Sequence, residues 1–311
     1  MLSLRRLAAV AIATGVGCLG VAQVFRNDDG SSYARLEGGA WVNEDTVRTA
    51  RETVPHSVVL PAWTNPSGFE KDVFTFARVL FRSDPTISDG AGPGRRLGWW
   101  VDYPDADLNL SYRLQQMTSM AVDPDARVVR LTDPELMDYP FIFMVHIEGI
   151  LLNDAEIEGL RGYFRRGGSL LVTDFWGHAA WDHFQRQMAR VVPEYSWVEL
   201  DMSHPIFRSV FHIKGPPHRL RIPTMQFWDR RSYPDDPNAP LSIRYRGPGS
   251  ETMHVRALMD DKQRIVAVAL HNSDVSDGWE RESENEEFFR VFSEPTAYPL
   301  AINVIHYLMT H

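Results

Sequence analysis

The sequence predicts an α/β fold with a mostly parallel sheet, and three observations support this class. Short apolar runs that suit buried strands alternate along the chain with segments of helical periodicity. The links between these segments are short, which favours parallel strands joined by right-handed crossovers. The composition, 44% hydrophobic and 23% charged, is typical of a folded globular protein.

The predicted strands begin with residues 73–81, which are rich in β-branched and aromatic side chains. Phe141–Val145, Ser169–Thr173 and residues 264–270 are continuous apolar runs, as expected for strands that are covered on both faces. Residues 84–96 are predicted to form a loop, and residues 216–251, rich in Pro, Gly and Arg, an excursion from the domain.

The predicted helices alternate with these strands. Residues 105–120 carry apolar side chains at near-helical spacing, with Asp105 as the predicted N-cap. Residues 155–166 follow Asn153 and Asp154, either of which suits an N-cap, and end at a Gly-Gly pair. Residues 179–191 and 296–309 complete the pattern.

The N-terminal segment predicts export. Arg5 and Arg6 precede an apolar run over residues 7–24 that contains small residues at Gly20 to Ala22, where a signal peptide would be cleaved. The alternative is an uncleaved membrane anchor through residues 7–24, because about 18 apolar residues just span a bilayer. We therefore expect a signal peptide or anchor at residues 1–24, a polar, irregular lead-in at 25–70, and one domain at 71–311. The expected location is the periplasm or the inner membrane.

Composition also excludes some chemistries. The formal net charge of −9 argues against nucleic acid as a partner. Cys18 is the only cysteine and lies in the export segment, so we expect no disulfide, thiolate nucleophile or Cys-ligated zinc in the domain. A phosphate-binding loop, a His-Glu-x-x-His motif and a Gly-x-Ser-x-Gly elbow are absent from the sequence.

Polar residues that follow the predicted strands define a candidate site. Ligands of open parallel sheets bind beyond the carboxyl ends of the strands. His146 and Glu148 follow the predicted strand Phe141–Val145. Further polar residues follow the predicted strands Ser169–Thr173 and 264–270, or precede the first predicted helix. The ligand-binding candidates are Asp102, Tyr103, Asp105, Glu148, Asp174, Trp176, His271, Asn272, Asp274, Asp277, Trp279 and Glu280.

Each candidate also has a structural interpretation. Asp102, Asp105 and Asp107 suit a helix start, where carboxylates cap free N–H groups and favour the helix dipole. Asp174 suits a strand-to-helix turn. The two tryptophans suit packing as well as ligand stacking.

Several blocks of sequence resemble the bacterial DUF4159 family, whose function is unknown. They are residues 100–114, the block Gly-Gly-Ser-Leu-Leu-Val-Thr-Asp-Phe-Trp-Gly at 167–177, His-Pro-Ile-Phe at 204–207, residues 271–274 and 277–280, and the C-terminal residues 298–307. The resemblance spans roughly residues 73–311. It implies a flavodoxin-like sandwich similar to class I glutamine amidotransferases, and proteins that are often exported or membrane-attached. Because the strand ends here carry Glu148 and Asp174 instead of cysteine, glutaminase activity does not transfer.

Three functions remain open from the sequence. The first is a non-catalytic exported domain that binds a small polar ligand or an envelope protein partner at this edge, since aromatic faces and carboxylates suit sugar-like or amino-bearing ligands. The alternative is an envelope hydrolase that uses His and Asp residues, with or without a divalent metal. The third is a structural envelope component in which this edge of the sheet is simply packed. No organic cofactor is indicated by any motif.

Overall fold

The structure is a computed structural model, and it describes residues 24–27, 30–37, 39–56, 62–68, 72–84, 86–87, 98–215, 220–231 and 246–311. The export segment predicted at residues 1–24 lies outside the described residues, apart from Val24. Most of the loop predicted at 84–96 and much of the excursion predicted at 216–251 also lie outside them.

Twelve strands and six α-helices are numbered here in chain order. The strands are β1 Val24–Arg26, β2 Ser32–Arg35, β3 Trp41–Asn43, β4 Ala77–Val79, β5 Arg82–Ser83, β6 Arg127–Val129, β7 Phe141–Val145, β8 Ile150–Leu151, β9 Ser169–Thr173, β10 Ser196–Glu199, β11 His254–Met259 and β12 Ile265–His271. The helices are α1 Asp105–Met117, α2 Asp154–Arg165, α3 Gly177–Val191, α4 Asp277–Glu280, α5 Glu286–Phe288 and α6 Tyr298–Thr310.

The central sheet has seven strands in the order β10-β11-β12-β9-β7-β4-β6. Strands β12, β9, β7, β4 and β6 pair in parallel, whereas β10 and β11 join the β12 edge through antiparallel pairs. The predicted α/β class with a mostly parallel sheet is therefore confirmed. The carboxyl ends of β12, β9 and β7 lie side by side, as the register of Leu270 with Thr173 and of Val145 with Thr173 requires.

The four predicted helices correspond to α1, α2, α3 and α6 within a few residues, whereas the short helices α4 and α5 were not predicted. Helix α6 packs against β7, β12 and α1, while α2 packs against α3. Asn153 is the N-cap of α2, where its side chain accepts a hydrogen bond from the Glu156 amide in a capping box. The N-cap predicted for α1 was wrong: the helix begins at Asp105, after Pro104, and no side chain caps it.

Two other parts of the prediction were incomplete. The segment expected to be an irregular lead-in contains a small antiparallel sheet of β1, β2 and β3. Strands β6, β10 and β11 were not predicted. Helix α6 is preceded by a π-helix over Phe289–Ala297, which was not predicted and overlaps the predicted helix 296–309 only at its last two residues.

The core consists of the fully buried strands β7, β9 and β12 and the helix faces packed on them. Every residue of these three strands is buried, which explains their continuous apolar sequences. Among the helices of the described ranges, none combines the length and apolar character needed to cross a membrane.

Candidate functional site

The candidate site lies where β7, β9 and β12 end. The residue after each strand, His146, Asp174 and Asn272, has a left-handed backbone, with φ of 53°, 51° and 65°. Asp102, just before α1, also has a positive φ of 61°. Non-glycine residues adopt this conformation uncommonly, although Asp and Asn tolerate it best. These turns direct the chain away from the sheet immediately after the strands.

Five of the predicted carboxylates come together at this edge and are buried there. Oxygens of Asp102, Asp174 and Asp274 lie within 4.8 Å of one another. Asp102 forms a second group of the same size with Asp277 and Glu280. The last two are three residues apart on the single turn of α4, so they share one side of it. Of the seven candidate carboxylates, these five lie together, whereas Asp105 and Glu148 do not belong to either group.

Asp174 is the best neutralised of the five. Its Oδ2 atom lies 2.5 Å from His146 Nε2, and its Oδ1 atom lies 3.6 Å from Arg246 Nη1. The indole N–H of Trp176 donates a hydrogen bond of 2.6 Å to the same Oδ1. Burial alone would raise the pKa of Asp174, but His146 and Arg246 outweigh it and hold the pKa below its usual value.

Asp277 and Glu280 share one guanidinium group. Arg281 Nε lies 3.0 Å from Asp277 Oδ1 and 2.8 Å from Glu280 Oε2. The pKa of each carboxyl is nevertheless raised, chiefly because both are removed from water. Arg281 therefore offsets only part of the cost of burying this pair.

Asp274 accepts hydrogen bonds, but no basic side chain of the described ranges forms a salt bridge with it. It accepts from the Thr224 hydroxyl at 2.5 Å and from the Asp277 amide at 3.0 Å. Its pKa is raised well above the usual value by burial and by the charges of Asp174 and Asp277. Both effects favour the protonated form of this carboxyl, and a bound cation would favour the ionised form.

Asp102 has a buried carboxylate oxygen, Oδ2, that lacks a hydrogen bond in the described ranges. The residue is 4% exposed. Burial raises the pKa of Asp102 to about 7, with further contributions from Asp174 and Asp277. A buried oxygen without a donor is costly, and here it faces other carboxylates.

Three other candidates near α1 and β7 lie outside this cluster. The Tyr103 hydroxyl donates to the Thr49 carbonyl at 2.9 Å, and the ring packs on Trp99. Asp105 accepts a hydrogen bond from the His56 amide at 3.1 Å. Glu148 is buried two residues after His146, but it does not belong to either carboxylate group.

The candidates around β12 either form hydrogen bonds with backbone groups or pack in the core. His271 contacts the Gly177 carbonyl and Arg256, and its ring stacks on Phe175. The Asn272 side chain holds three loop backbone groups. Trp279 is fully buried, and its indole N–H donates to the Ala297 carbonyl. Their polar atoms are thus occupied within the fold.

Sequence reasoning did not select the basic residues of the site. Arg246 and Arg281 provide its positive charge, and His56 lies 2.9 Å from Glu280 Oε1. His56 and Glu37 come from the segment that was expected to be an irregular lead-in, and Glu37 Oε2 lies 2.6 Å from Arg281. Arg281 directly follows α4 and could have been noticed, whereas no local signal marks His56, Glu37 or Arg246.

The geometry of the first carboxylate group fits a single hard cation. Oxygens bound to one Ca²⁺ at 2.3–2.6 Å lie at most about 5 Å apart, and the group of Asp102, Asp174 and Asp274 satisfies this limit. An all-oxygen carboxylate set favours Ca²⁺, Mg²⁺ or Mn²⁺ over softer metals. A surface groove of about 580 Å³ between α3 and β10 is lined by none of the candidate residues.

Comparison with known proteins gives a family without an assigned activity. No curated protein matches the chain. The family described as a domain of unknown function, DUF4159, matches residues 90–309, which include α1, the strands β6–β12 and all five clustered carboxylates. The chain therefore belongs to the DUF4159 family.

Proposed function

We propose that this protein is a ligand-binding domain whose ligand is a hard divalent cation, held by Asp102, Asp174 and Asp274. The observation that carries the proposal is the buried Asp102 oxygen, which has no hydrogen-bond donor in the described ranges and faces two other carboxylates. A divalent cation would give this oxygen a partner and offset the repulsion within the group.

The balance of charge supports the same conclusion. Asp174 has His146 and Arg246 beside it, and Asp277 and Glu280 share Arg281. Asp102 and Asp274 have no such partner within 4.0 Å in the described part of the chain. Without a cation, these two carboxyls avoid repulsion only by binding protons, as their raised pKa values indicate.

Calorimetry on chelator-treated protein tests this proposal directly. Protein stripped with EDTA and then dialysed is titrated with CaCl₂, MgCl₂ and MnCl₂, and its melting temperature is measured with each. We expect saturable binding and a higher melting temperature with at least one of these ions, because a ligand that binds only the folded state stabilises it. The Asp274→Asn variant should lose both effects, since it removes one ligand charge.

A matched control separates cation binding from a general effect of losing a buried carboxylate. Asp260 is also buried, at 7% exposure, but it accepts hydrogen bonds from Lys262 and Arg264 in the turn between β11 and β12. Asp260→Asn should therefore keep the cation response. Stripped wild-type protein that binds none of the three ions, or a response that survives in Asp274→Asn, would refute the proposal.

A metal-assisted hydrolase is the second candidate, and one observation favours it. His146 lies 2.5 Å from Asp174 on the turn after β7, so an acid–base side chain adjoins the proposed cation. This function predicts that His146→Gln abolishes hydrolysis of a panel of chromogenic esters while cation binding is retained. If the wild-type protein hydrolyses none of the esters with any of the cations, the hydrolase function is refuted and cation binding remains the proposed function.

The finer fold assignment and the cellular location are also proposals. The parallel order β12-β9-β7 and the left-handed Asp174 between β9 and α3 support a likeness to class I glutamine amidotransferases, in which such an elbow carries the nucleophile. Export rests on the sequence of residues 1–24 alone. Cell fractionation of the full chain tests it, and a soluble cytoplasmic protein of full length would contradict it.

A further inference from the structure

Two buried arginines share one indole ring beside the carboxylates. The guanidinium carbons of Arg221 and Arg246 lie 6.0 Å and 4.4 Å from the centroid of the Trp176 ring. The residues are 6% and 5% exposed. Burial lowers the pKa of Arg221 to about 10; the charge of Glu251 opposes this shift and the nearby Arg246 adds to it. Two like charges are therefore held close together in a place with little water.

Arg221 lacks the partner that other buried arginines of this protein have. Arg78 is paired with Asp107, and Arg281 with Asp277. In contrast, Arg221 donates from Nη1 to the Glu251 carbonyl at 2.9 Å and from Nη2 to the Ser250 carbonyl. Its buried Nε atom has no hydrogen-bond acceptor in the described part of the chain. Glu251 attracts the guanidinium group electrostatically but forms no salt bridge with it within the described ranges.

A buried cation that donates hydrogen bonds only to backbone carbonyls keeps much of its desolvation cost. An anion beside Arg221 would remove that cost and give the Nε–H an acceptor. Guanidinium groups suit oxyanions in particular, because several N–H donors lie in one plane and form charge-assisted hydrogen bonds. A phosphate dianion would also offset the mutual repulsion of Arg221 and Arg246.

We propose that Arg221 and Arg246, which both contact the Trp176 ring, bind a tetrahedral oxyanion, either inorganic phosphate or the phosphate or sulfate group of a larger ligand. This site goes beyond the proposed cation site and does not require it. The two adjoin, because Trp176 donates a hydrogen bond to Asp174 and Arg246 lies 3.6 Å from the same carboxylate.

The test uses the full chain in EDTA, so that the result is independent of any cation. Melting temperature and calorimetric binding are measured with sodium phosphate, sulfate, acetate and chloride at equal ionic strength. We expect phosphate and sulfate to stabilise the protein saturably, and acetate and chloride to have no such effect. Arg221→Gln should weaken phosphate binding at least tenfold.

Arg256 provides a matched control. It also lies over an indole ring, 4.0 Å from the centroid of Trp181, but Glu199 is its carboxylate partner at 3.2 Å. Arg256→Gln should bind phosphate as the wild type does. Equal stabilisation by all four anions, stabilisation by acetate as strong as by phosphate, or unchanged binding by Arg221→Gln would overturn the proposal.

A second measurement keeps the test valid if Arg221→Gln does not fold. The arginine Nε–H signals of the wild-type protein are followed by NMR during a phosphate titration, with Arg221→Lys used for assignment. The Arg221 signal should move saturably, because its Nε–H gains an acceptor. A signal that stays in place at saturating phosphate would refute the assignment, whatever the cation experiments give.

Discussion

Replacing Asp102 by asparagine should stabilise the protein when no cation is present. The substitution removes one charge from a group whose oxygens lie within 4.8 Å of one another. Two unit charges at that distance repel by about 3 kcal/mol at an effective dielectric constant of about 20. Asparagine has nearly the same shape, tolerates the φ of 61°, and brings an NH₂ group that can donate to a neighbouring carboxylate.

Asp107→Asn is the matched comparison, because this buried aspartate on α1 has the opposite environment. Asp107 accepts hydrogen bonds from Nε and Nη2 of Arg78, and both side chains are fully buried. Its replacement leaves a buried guanidinium without a counter-ion, which costs roughly 3–5 kcal/mol. The two substitutions are chemically identical, yet we expect free energies of unfolding that change in opposite directions.

The assay is denaturant or thermal unfolding at pH 8 in EDTA, and again with saturating Ca²⁺. At pH 8 most Asp102 is ionised, since its pKa is about 7. Asp102→Asn should gain on the order of 1–3 kcal/mol in EDTA and lose the additional stabilisation that the wild type obtains from the cation. A loss of stability in EDTA comparable to that of Asp107→Asn would show that Asp102 is a structural hydrogen-bonding residue and that the repulsion argument is wrong.

Three further predictions follow from other parts of the structure. Burial and Arg256 lower the pKa of His271 from 6.5 to about 3, so the unfolded chain takes up a proton first as the pH falls. The free energy of unfolding therefore decreases below pH 6.5, by up to about 1.4 kcal/mol per pH unit. His271→Gln should flatten this slope in acid titrations of stability, whereas a substitution of the exposed His212 by glutamine should not. Gly159→Ala on α2 should lower the melting temperature, because the new Cβ would lie 1.9 Å from the Leu131 carbonyl oxygen. Gly162→Ala should raise the free energy of unfolding by about 1 kcal/mol, because the nearest atom to its Cβ would be 3.8 Å away. Equal changes in the two variants would contradict the packing argument. Mass spectrometry of the protein from the envelope fraction should find a chain that begins near Gln23 or one that remains membrane-bound with residues 7–24, and a full-length soluble chain would count against export.

The central strands could be predicted because both of their faces are buried. Strands β7, β9 and β12 therefore have sequences that are apolar without interruption. At the sheet edges this signal disappears: β6 has only three residues, and β10 carries mostly exposed side chains. Strand β11 does alternate, with Val255 and Ala257 buried between half-buried neighbours, and this pattern was present in the sequence.

The candidate site shows what the strand-end rule does not predict. The rule places a residue at an edge of the sheet, but it does not fix the direction of the side chain. Asp277 and Glu280 face the cluster from α4, while Trp279, on the same turn, points into the core against Phe143. Arg246 and His56 reach the site from distant parts of the chain, and only the tertiary fold brings them there.

Unfavourable features are concentrated at this one edge of the sheet. Asp102, His146 and Asp174 adopt left-handed backbone conformations, and such conformations cost of order 1 kcal/mol or more each. The same residues bring together carboxyls whose burial is only partly offset. A sequence selected for stability alone would replace these groups with apolar residues at no loss to the sheet. The proposed cation, if bound, would offset these costs, and so the unfavourable features support the proposal.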